Sequence, residues 1–410
     1  MSTNLIDWTP AVEVALLGAA LALIPVSVVA WRARRQGVRG WPAWQRVLTV
    51  ATLFLTLDLV VFGAFTRLTD SGLGCPDWPG CYGELSPMQA HEDIRAAHAA
   101  QPHGPVSPTK AWIEMVHRYL ATAVGALITG LMLLAWRMRH RTGGLSPWWA
   151  TATFIWVCAQ GAFGALTVTM KLQPIIVSLH LLGAVLGVAL LTAQARVLDG
   201  APIGPQPGAE ARRHAWARSG LRRAGLALLV LLTVQIASGA WVSTNYAVLA
   251  CTEVPTCQGQ WWPDMDFALG FHLLRPLGGD GSGGAITMAA LTAIHVTHRS
   301  LAVLVALALT AYAWVLSRWS PDGGARPWRG EAAVLAALLA AQLLTGLSNV
   351  VLDWPLAAAL AHTLGASLLV WRMVRLWVLP ALPRATMAGA AQAMPGHQGL
   401  HPTAPHASAS

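Results

Sequence analysis

Charge is what this sequence has least of. Only 11% of its 410 residues are Asp, Glu, Lys or Arg, against 55% hydrophobic, a balance that leaves a large soluble core or a membrane protein. Apolar runs of about 20 residues, recurring between basic punctuation, decide for the membrane. Basic residues are also missing ahead of the first apolar run: Asp7 and Glu13 stand at its front, while Arg32, Arg34, Arg35 and Arg39 follow it. This reverses the charge order of a secretory signal peptide, so the segment is expected to remain in the chain with its N-terminus outside. Nor does the net charge of +9 point to nucleic acid, because the arginines sit in short loops where they report topology. Trp31, Trp41, Trp44, Trp136, Trp148, Trp149, Trp371 and Trp377, near the ends of apolar runs, suit interfacial belts.

Nine spans are predicted, roughly 11–31, 46–66, 112–136, 148–169, 175–195, 223–243, 286–316, 331–351 and 356–378. Arginines mark every second connection: Arg137, Arg139 and Arg141; Arg212, Arg213, Arg218, Arg222 and Arg223; Arg318, Arg326 and Arg329; then Arg372, Arg375 and Arg384. Under the positive-inside rule these are cytoplasmic, the C-terminus is inside, and the loops 67–111 and 244–285 are extracytoplasmic. The last stretch, 381–410, rich in Ala, Pro and His, reads as a disordered cytoplasmic tail.

The chain looks like one design written twice. Gly63 and Gly239, Cys75 and Cys251, and Cys81 and Cys257 are each 176 positions apart. His117 and His298 are 181 apart, and Gln160 with Gln342 and His180 with His362 are 182 apart. Each repeat holds four spans, so both enter the membrane the same way round and are expected to be related by an axis along the membrane normal. The predicted fold is therefore an all-α polytopic membrane protein. It has two tandem four-helix-bundle repeats with parallel pseudo-twofold symmetry, 46–200 and 201–380, preceded by one extra, peripheral span within 1–45 and followed by the tail 381–410.

Candidate chemistry lies at the mouths of two spans. Glu114 and His117 share one helix face at i, i+3, and the second copy opens with His295, His298 and Arg299. Twenty residues, roughly 30 Å of helix, separate His117 from Arg137 and His298 from Arg318, which sets both histidines near the outer face. His180 and His362 follow outer loops by a few residues. Each repeat can thus bring two imidazoles together in the outer part of a four-helix bundle, an arrangement that suits a b-type haem. A single such histidine is more often a buried ring bonded to a carbonyl; four in duplicated register reverse that preference. No Cys-x-x-Cys-His is present for covalent haem, and neither half offers zinc a third and fourth ligand at depth.

Cys75 with Cys81 and Cys251 with Cys257 lie in loops assigned outside, where a structural disulfide is the favoured reading and thiol exchange the functional alternative. Cys158, alone in a span, reads as core. Glu114 has no carboxylate counterpart, since the matching position is His295. Beside a haem ligand it is the best acid/base or charge-stabilising candidate, and the first half becomes the reactive one. Arg118 and Arg299 are candidates for haem propionate contacts.

The stretch Gly-Ala-Phe-Thr-Arg-Leu-Thr-Asp-Ser-Gly-Leu-Gly-Cys-Pro-Asp-Trp-Pro-Gly-Cys (63–81), followed by Glu-Met-Val-His-Arg (114–118), Gly-Ala-Phe-Gly-Ala-Leu-Thr-Val (161–168), His180, His298-Arg299 and His362, resembles the haem A synthase family. The resemblance covers roughly 46–379. It implies an eight-span duplicated fold that oxidises a porphyrin methyl group of haem O to a formyl group by successive hydroxylations, for assembly of terminal oxidases. It further implies that His298 and His362 ligate a resident haem b, that His117 and His180 flank the substrate haem, and that Glu114 is essential. The setting implied is a bacterial-type cell membrane, with haem O as substrate, an electron donor the sequence does not name, and haem O synthase as a partner. The chain departs from the family pattern in its additional first span, its 82–111 insertion, its tail and His295. A dihaem membrane electron carrier and a haem transporter are the competing classes: four histidines in the outer part disfavour electron transfer across the bilayer but not lateral transfer, and a transporter gives no separate reason for Glu114 to occur in one half only.

Overall fold

Proline and hydroxyl side chains start the helices, and each helix runs until the next polar loop. The computed structural model describes residues 9–141, 144–199, 216, 219–276, 286–319 and 328–378. The predicted tail 381–410 and Arg212, Arg213, Arg218, Arg326 and Arg384 lie outside the described residues. Ten helices of more than one turn are found among the described residues: α1 (Thr9–Arg35), α2 (Trp41–Leu68), α3 (His91–Ala100), α4 (Pro108–Arg137), α5 (Pro147–Thr169), α6 (Pro174–Leu198), α7 (Gly220–Thr244), α8 (Met288–Arg318), α9 (Arg329–Val351) and α10 (Leu356–Trp377). All except α3 are long and apolar enough to cross a membrane, nine candidate spans in all. Pro42, Pro108, Pro147 and Pro174 occupy first-turn positions, where the missing N–H costs nothing. Ser107, Ser219 and Thr287 cap α4, α7 and α8 by accepting from the N–H of Lys110 (3.3 Å), Arg222 (3.2 Å) and Ala290 (3.2 Å).

Two rings of four helices result. In one, α2, α4, α5 and α6 each pack on the next, and α6 returns to α2; in the other, α7, α8, α9 and α10 do the same. The rings meet where α6 touches α7 and α10, and where α10 touches α2. Some contacts across this seam join positions 176 apart: Arg67 Nη2 donates to Ser243 O at 2.6 Å, and the Tyr246 hydroxyl donates to Asp70 Oδ1 at 2.7 Å. The extra span α1 lies against α4 and α2, and so covers the helix that carries Glu114 and His117.

The apolar core sits toward the arginine-rich ends of the spans. In the second ring Leu228, Leu232, Leu309, Leu316, Leu335, Leu369 and Met373 close on one another above Trp216, whose ring stacks on Trp328 at 4.6 Å and whose Nε1 donates to Leu376 O at 3.1 Å. In the first ring Leu53 and Val60 of α2 meet Val188 and Leu191 of α6. At the opposite ends, at the height of the histidines, this dense packing gives way to glycine.

Two expectations need correction. The 82–111 stretch is not all loop: α3 folds there because Ile94 on its inner face is buried against the Cys75–Cys81 loop and the start of α4. Cys158 is exposed rather than core, because α5 packs only on its ring neighbours α4 and α6 and turns its remaining face outward. Leu335→Ala, at a fully buried site, is expected to cost about 2–5 kcal/mol. The matched change Leu344→Ala, on the exposed face of the same helix (66% exposed), is expected to be close to neutral; thermal unfolding of both variants in detergent checks the pair, and equal midpoints would refute this seating of α9.

Candidate functional site

An imidazole inside a helix bundle needs room that a neighbouring side chain would take. Each of the four histidines has that room from a glycine on the adjacent helix. A methyl group placed on Gly63 of α2 would lie 3.2 Å from Cε1 of His117 on α4, and one on Gly164 of α5 would lie 3.5 Å from Cε1 of His180 on α6. In the second ring the same construction at Gly239 of α7 falls 3.0 Å from Cε1 of His298 on α8, and at Gly346 of α9 it falls 3.1 Å from Cε1 of His362 on α10. Each ring holds two of the histidines, His117 and His180 on α4 and α6, and His298 and His362 on α8 and α10.

The second pair is flanked by hydroxyls. Ser238 Oγ stands 2.8 Å from Nδ1 of His298 and 2.8 Å from Gln235 O, and Gln235 Nε2 stands 3.1 Å from the same ring nitrogen. Thr345 Oγ1 stands 3.1 Å from Nδ1 of His362 and 2.8 Å from Ala341 O. A ring that gives its Nδ1 proton to such a hydroxyl keeps the Nε2 lone pair free, which is the form that ligates iron. In the first pair, by contrast, His180 Nδ1 is buried without a hydrogen-bond partner among the described residues. Two free imidazole nitrogens per ring, glycine cradles and a core that thins at this height fit an axially ligated haem.

Above each ring a disulfide loop is clamped by arginine. Cys75 is bonded to Cys81 and Cys251 to Cys257. Arg118 donates to Pro79 O (3.2 Å) and to Gly80 O, and its Nη2 pairs with Glu114 Oε1 at 2.5 Å. Arg299 donates to Glu253 O (2.9 Å), Thr256 O (3.1 Å) and Cys251 O (2.8 Å). Within the loops Asp77 accepts from the N–H groups of Tyr82 and Gly83, both at 2.7 Å, and Glu253 accepts from that of Gly259. The two arginines considered for propionate contacts thus spend several donors on loop carbonyls.

Glu114 is buried, 4% exposed, and both its oxygens are engaged: Oε2 accepts from the Cys75 N–H at 2.9 Å, while Oε1 takes Arg118. It is a carboxylate fixed in place one turn from His117 and tied through one hydrogen bond to the disulfide. His295, its counterpart, is also buried, 3% exposed, with Nδ1 lacking a partner among the described residues. Sequence reading missed Ser238 and Thr345. Single hydroxyls in apolar spans stand out only when the two halves are laid over each other, as does the Arg67–Tyr246 contact, with the guanidinium carbon 4.0 Å from the ring centroid.

A family model described as "Cytochrome oxidase assembly protein" (COX15-CtaA) matches residues 46–374. The chain is also 37% identical over 328 residues to a Shewanella oneidensis protein named "Heme A synthase", covering 79% of this chain and 92% of that protein. Proteins of the same name from Rhizorhabdus wittichii (28% identical, 77% of this chain and 88% of the relative) and Halalkalibacterium halodurans (26%, 75% and 87%) are also similar.

The glycine cradles carry a prediction. Gly239→Ala and Gly346→Ala are expected to force the histidine rings aside at an overpacking cost of about 1–3 kcal/mol and to lower the haem-to-protein ratio of the purified chain. Gly125→Ala, where an added methyl meets nothing within 4 Å, should leave the absorption spectrum as it was. Equal pigment in all three variants would show that the rings do not need those glycines.

Proposed function

The chain belongs to the COX15-CtaA family of cytochrome oxidase assembly proteins, and from that membership we infer that it is a haem A synthase, a multi-pass membrane oxidoreductase that acts on a methyl group of haem O. The observation that carries the reading further is the pairing of histidines within two closed helix rings at matching heights, with a buried carboxylate beside only one pair. We assign the second ring to a resident haem b ligated by His298 and His362, and the first to substrate haem O flanked by His117 and His180. Haem b, when bound, supplies one-electron transfer; the rest of the chemistry concerns what the chain does to its substrate.

Oxidation of the methyl group passes through the hydroxymethyl stage to a hydrate, which loses water to give the formyl group. Positive charge develops on the reacting carbon as the methyl is oxidised. Glu114 is a buried acidic side chain of the first ring whose place in the second is taken by His295. Its carboxylate is pre-oriented by the Cys75 N–H and by Arg118, so no reorganisation is needed when charge appears. His117 and His180 hold the porphyrin so that the methyl-bearing edge faces this group. α1, lying over α4 and α2, helps keep lipid and water from the outer side of the site.

The N-terminus is placed outside and the C-terminus in the cytoplasm, because Arg32, Arg34 and Arg35 end α1 while Arg137, Arg318 and Arg375 end α4, α8 and α10. The disulfide loops then face the oxidising side, where such bonds persist. Parallel pseudo-twofold symmetry between the rings is supported by the way helix contacts exchange, α6 with α7 matching α10 with α2, and by the seam contacts between positions 176 apart. A haem O synthase is the natural donor of so insoluble a substrate.

Expressed with a source of haem O, the wild-type chain should yield haem A or hydroxylated haem O on extraction, separation and mass spectrometry. Glu114→Gln keeps an oxygen for the Cys75 N–H but loses the charge; it should retain bound haem and lose the oxidised products by a factor of about 100 or more, the range for removing one pre-organised charge stabiliser. Haem A output unchanged in Glu114→Gln, with haem bound in both rings, would eliminate the charge-stabilising role.

A further inference from the structure

We propose that Ser238 and Thr345 are positioning residues that fix His298 and His362 as permanent iron ligands, and that the phenylalanines in the matching places of the first ring leave His117 and His180 free to take up and release a porphyrin. The inference rests on the assignment of the second ring to a resident haem and of the first to the substrate.

Three correspondences relate the surroundings of the two histidine pairs. Ser238 is 176 positions beyond Phe62, Gln235 is 176 beyond Leu59, and Thr345 is 182 beyond Phe163, the same offsets that relate the glycines and histidines of the two rings. Every polar side chain on the Nδ1 side of the second pair is therefore apolar in the first. The contacts follow suit. In the second ring Ser238 Oγ stands 2.8 Å and Thr345 Oγ1 3.1 Å from the ring nitrogens, and Gln235 Nε2 lies 3.1 Å from the same nitrogen as Ser238. Gln235 Nε2 also donates to the His298 carbonyl at 3.3 Å, which ties the amide to the same turn of α8. In the first ring Phe62 presents an aromatic face 6.3 Å from the centroid of His117, and His180 Nδ1 has no partner among the described residues.

A hydrogen bond from Nδ1–H to oxygen does two things to a ligating imidazole. It fixes ring rotation and tautomer, and it makes Nε2 a stronger donor. Both favour a haem that stays, and the stronger donor favours the ferric state. A ring faced by Phe has neither constraint. It can tilt and change tautomer, so a porphyrin can bind for reaction and depart after it. The difference is placed on the two residues beside the cradle glycines: Phe62-Gly63 against Ser238-Gly239, and Phe163-Gly164 against Thr345-Gly346.

The test uses the purified full-length chain and reads haem b content, the low-spin electron paramagnetic resonance signal of bis-imidazole iron, and the haem b midpoint potential. Ser238→Ala with Thr345→Val is expected to weaken haem b retention by about 10- to 100-fold and to raise its midpoint potential. Exchange of the hydroxyls, Ser238→Thr with Thr345→Ser, should restore both. Conversely, Phe62→Ser with Phe163→Thr should increase the haem O and haem A that co-purify. Unchanged retention and potential in the Ala/Val variant would overturn the proposal, as would a loss that the exchanged hydroxyls do not reverse, since that marks packing rather than hydrogen bonding. A wild-type low-spin signal that survives His298→Ala and His362→Ala would overturn the underlying ligand assignment and the proposal with it.

Discussion

The close approach of a bare helix backbone to an imidazole ring is the constraint on which the remaining architecture depends. Four times in this chain a glycine on one helix faces a histidine on the next, and at Gly63, Gly239 and Gly346 an added methyl would be tighter than ordinary contact. Such an approach fixes the rotation of both helices and their relative height. At the other ends of the spans Leu309, Leu316, Leu335 and Met373 interdigitate because nothing has to be accommodated between them. A bundle in a bilayer gains little from burying apolar surface that lipid would cover equally well, so tight contact at one end leaves the other free to house a cofactor.

The outer loops complete the site through arginine. Arg118 and Arg299 each immediately follow a histidine, so their guanidinium groups rise from the helix mouths and gather loop carbonyls from above. Carbonyl oxygens at a tight turn need donors that water near a membrane surface supplies poorly, and a planar five-donor group can serve several at once. In the first ring the same guanidinium also holds Glu114, whose second oxygen takes the Cys75 N–H. Loop, disulfide, carboxylate and histidine are thus one connected unit there. In the second ring the chain uses His295 where Glu114 would be, and Arg299 holds the loop through its carbonyls.

Much of this was legible in the sequence, for identifiable reasons. Nine spans could be counted because apolar runs of membrane length are long and their arginine punctuation is regular; all nine helices appear within a few residues of the expected limits. The four histidines and the cysteine pairs stood out because they recur at fixed offsets, and Glu114 because it stands one turn from His117 with His295 in its place in the second copy. What stayed hidden has a physical cause too. Helix α3 carries no long apolar run, and its one buried anchor, Ile94, is significant only once the disulfide loop folds over it. Cys158 was misplaced because a span that packs on just two neighbours offers as much outward as inward face, and hydropathy does not distinguish them. Ser238 and Thr345 are ordinary residues for a membrane helix, where hydroxyls commonly bond to their own backbone; only the position of Nδ1 of His298 and His362 gives them meaning.

Comparison of the two rings argues against a pure electron carrier. If the chain only passed electrons between two equivalent haems, divergence since duplication would have fallen at random over packing, loops and site. Packing and loops instead keep their matched features: the cradle glycines, the loop arginines, the Asp77 and Glu253 acceptors, and the bridges Cys81–Glu84 and Cys257–Gln260. Around the histidines, Glu114 corresponds to His295, Phe62 to Ser238 and Phe163 to Thr345, and at the seam Arg67 corresponds to Ser243. Each change moves the rings apart in the same direction. One gains a fixed carboxylate and loses the hydrogen bonds that would hold a ligand rigid; the other gains those bonds and loses the carboxylate. Two histidine pairs alike in setting and unlike in hydrogen bonding and charge suit the proposed division of labour, in which one haem is the enzyme's tool and the other its substrate.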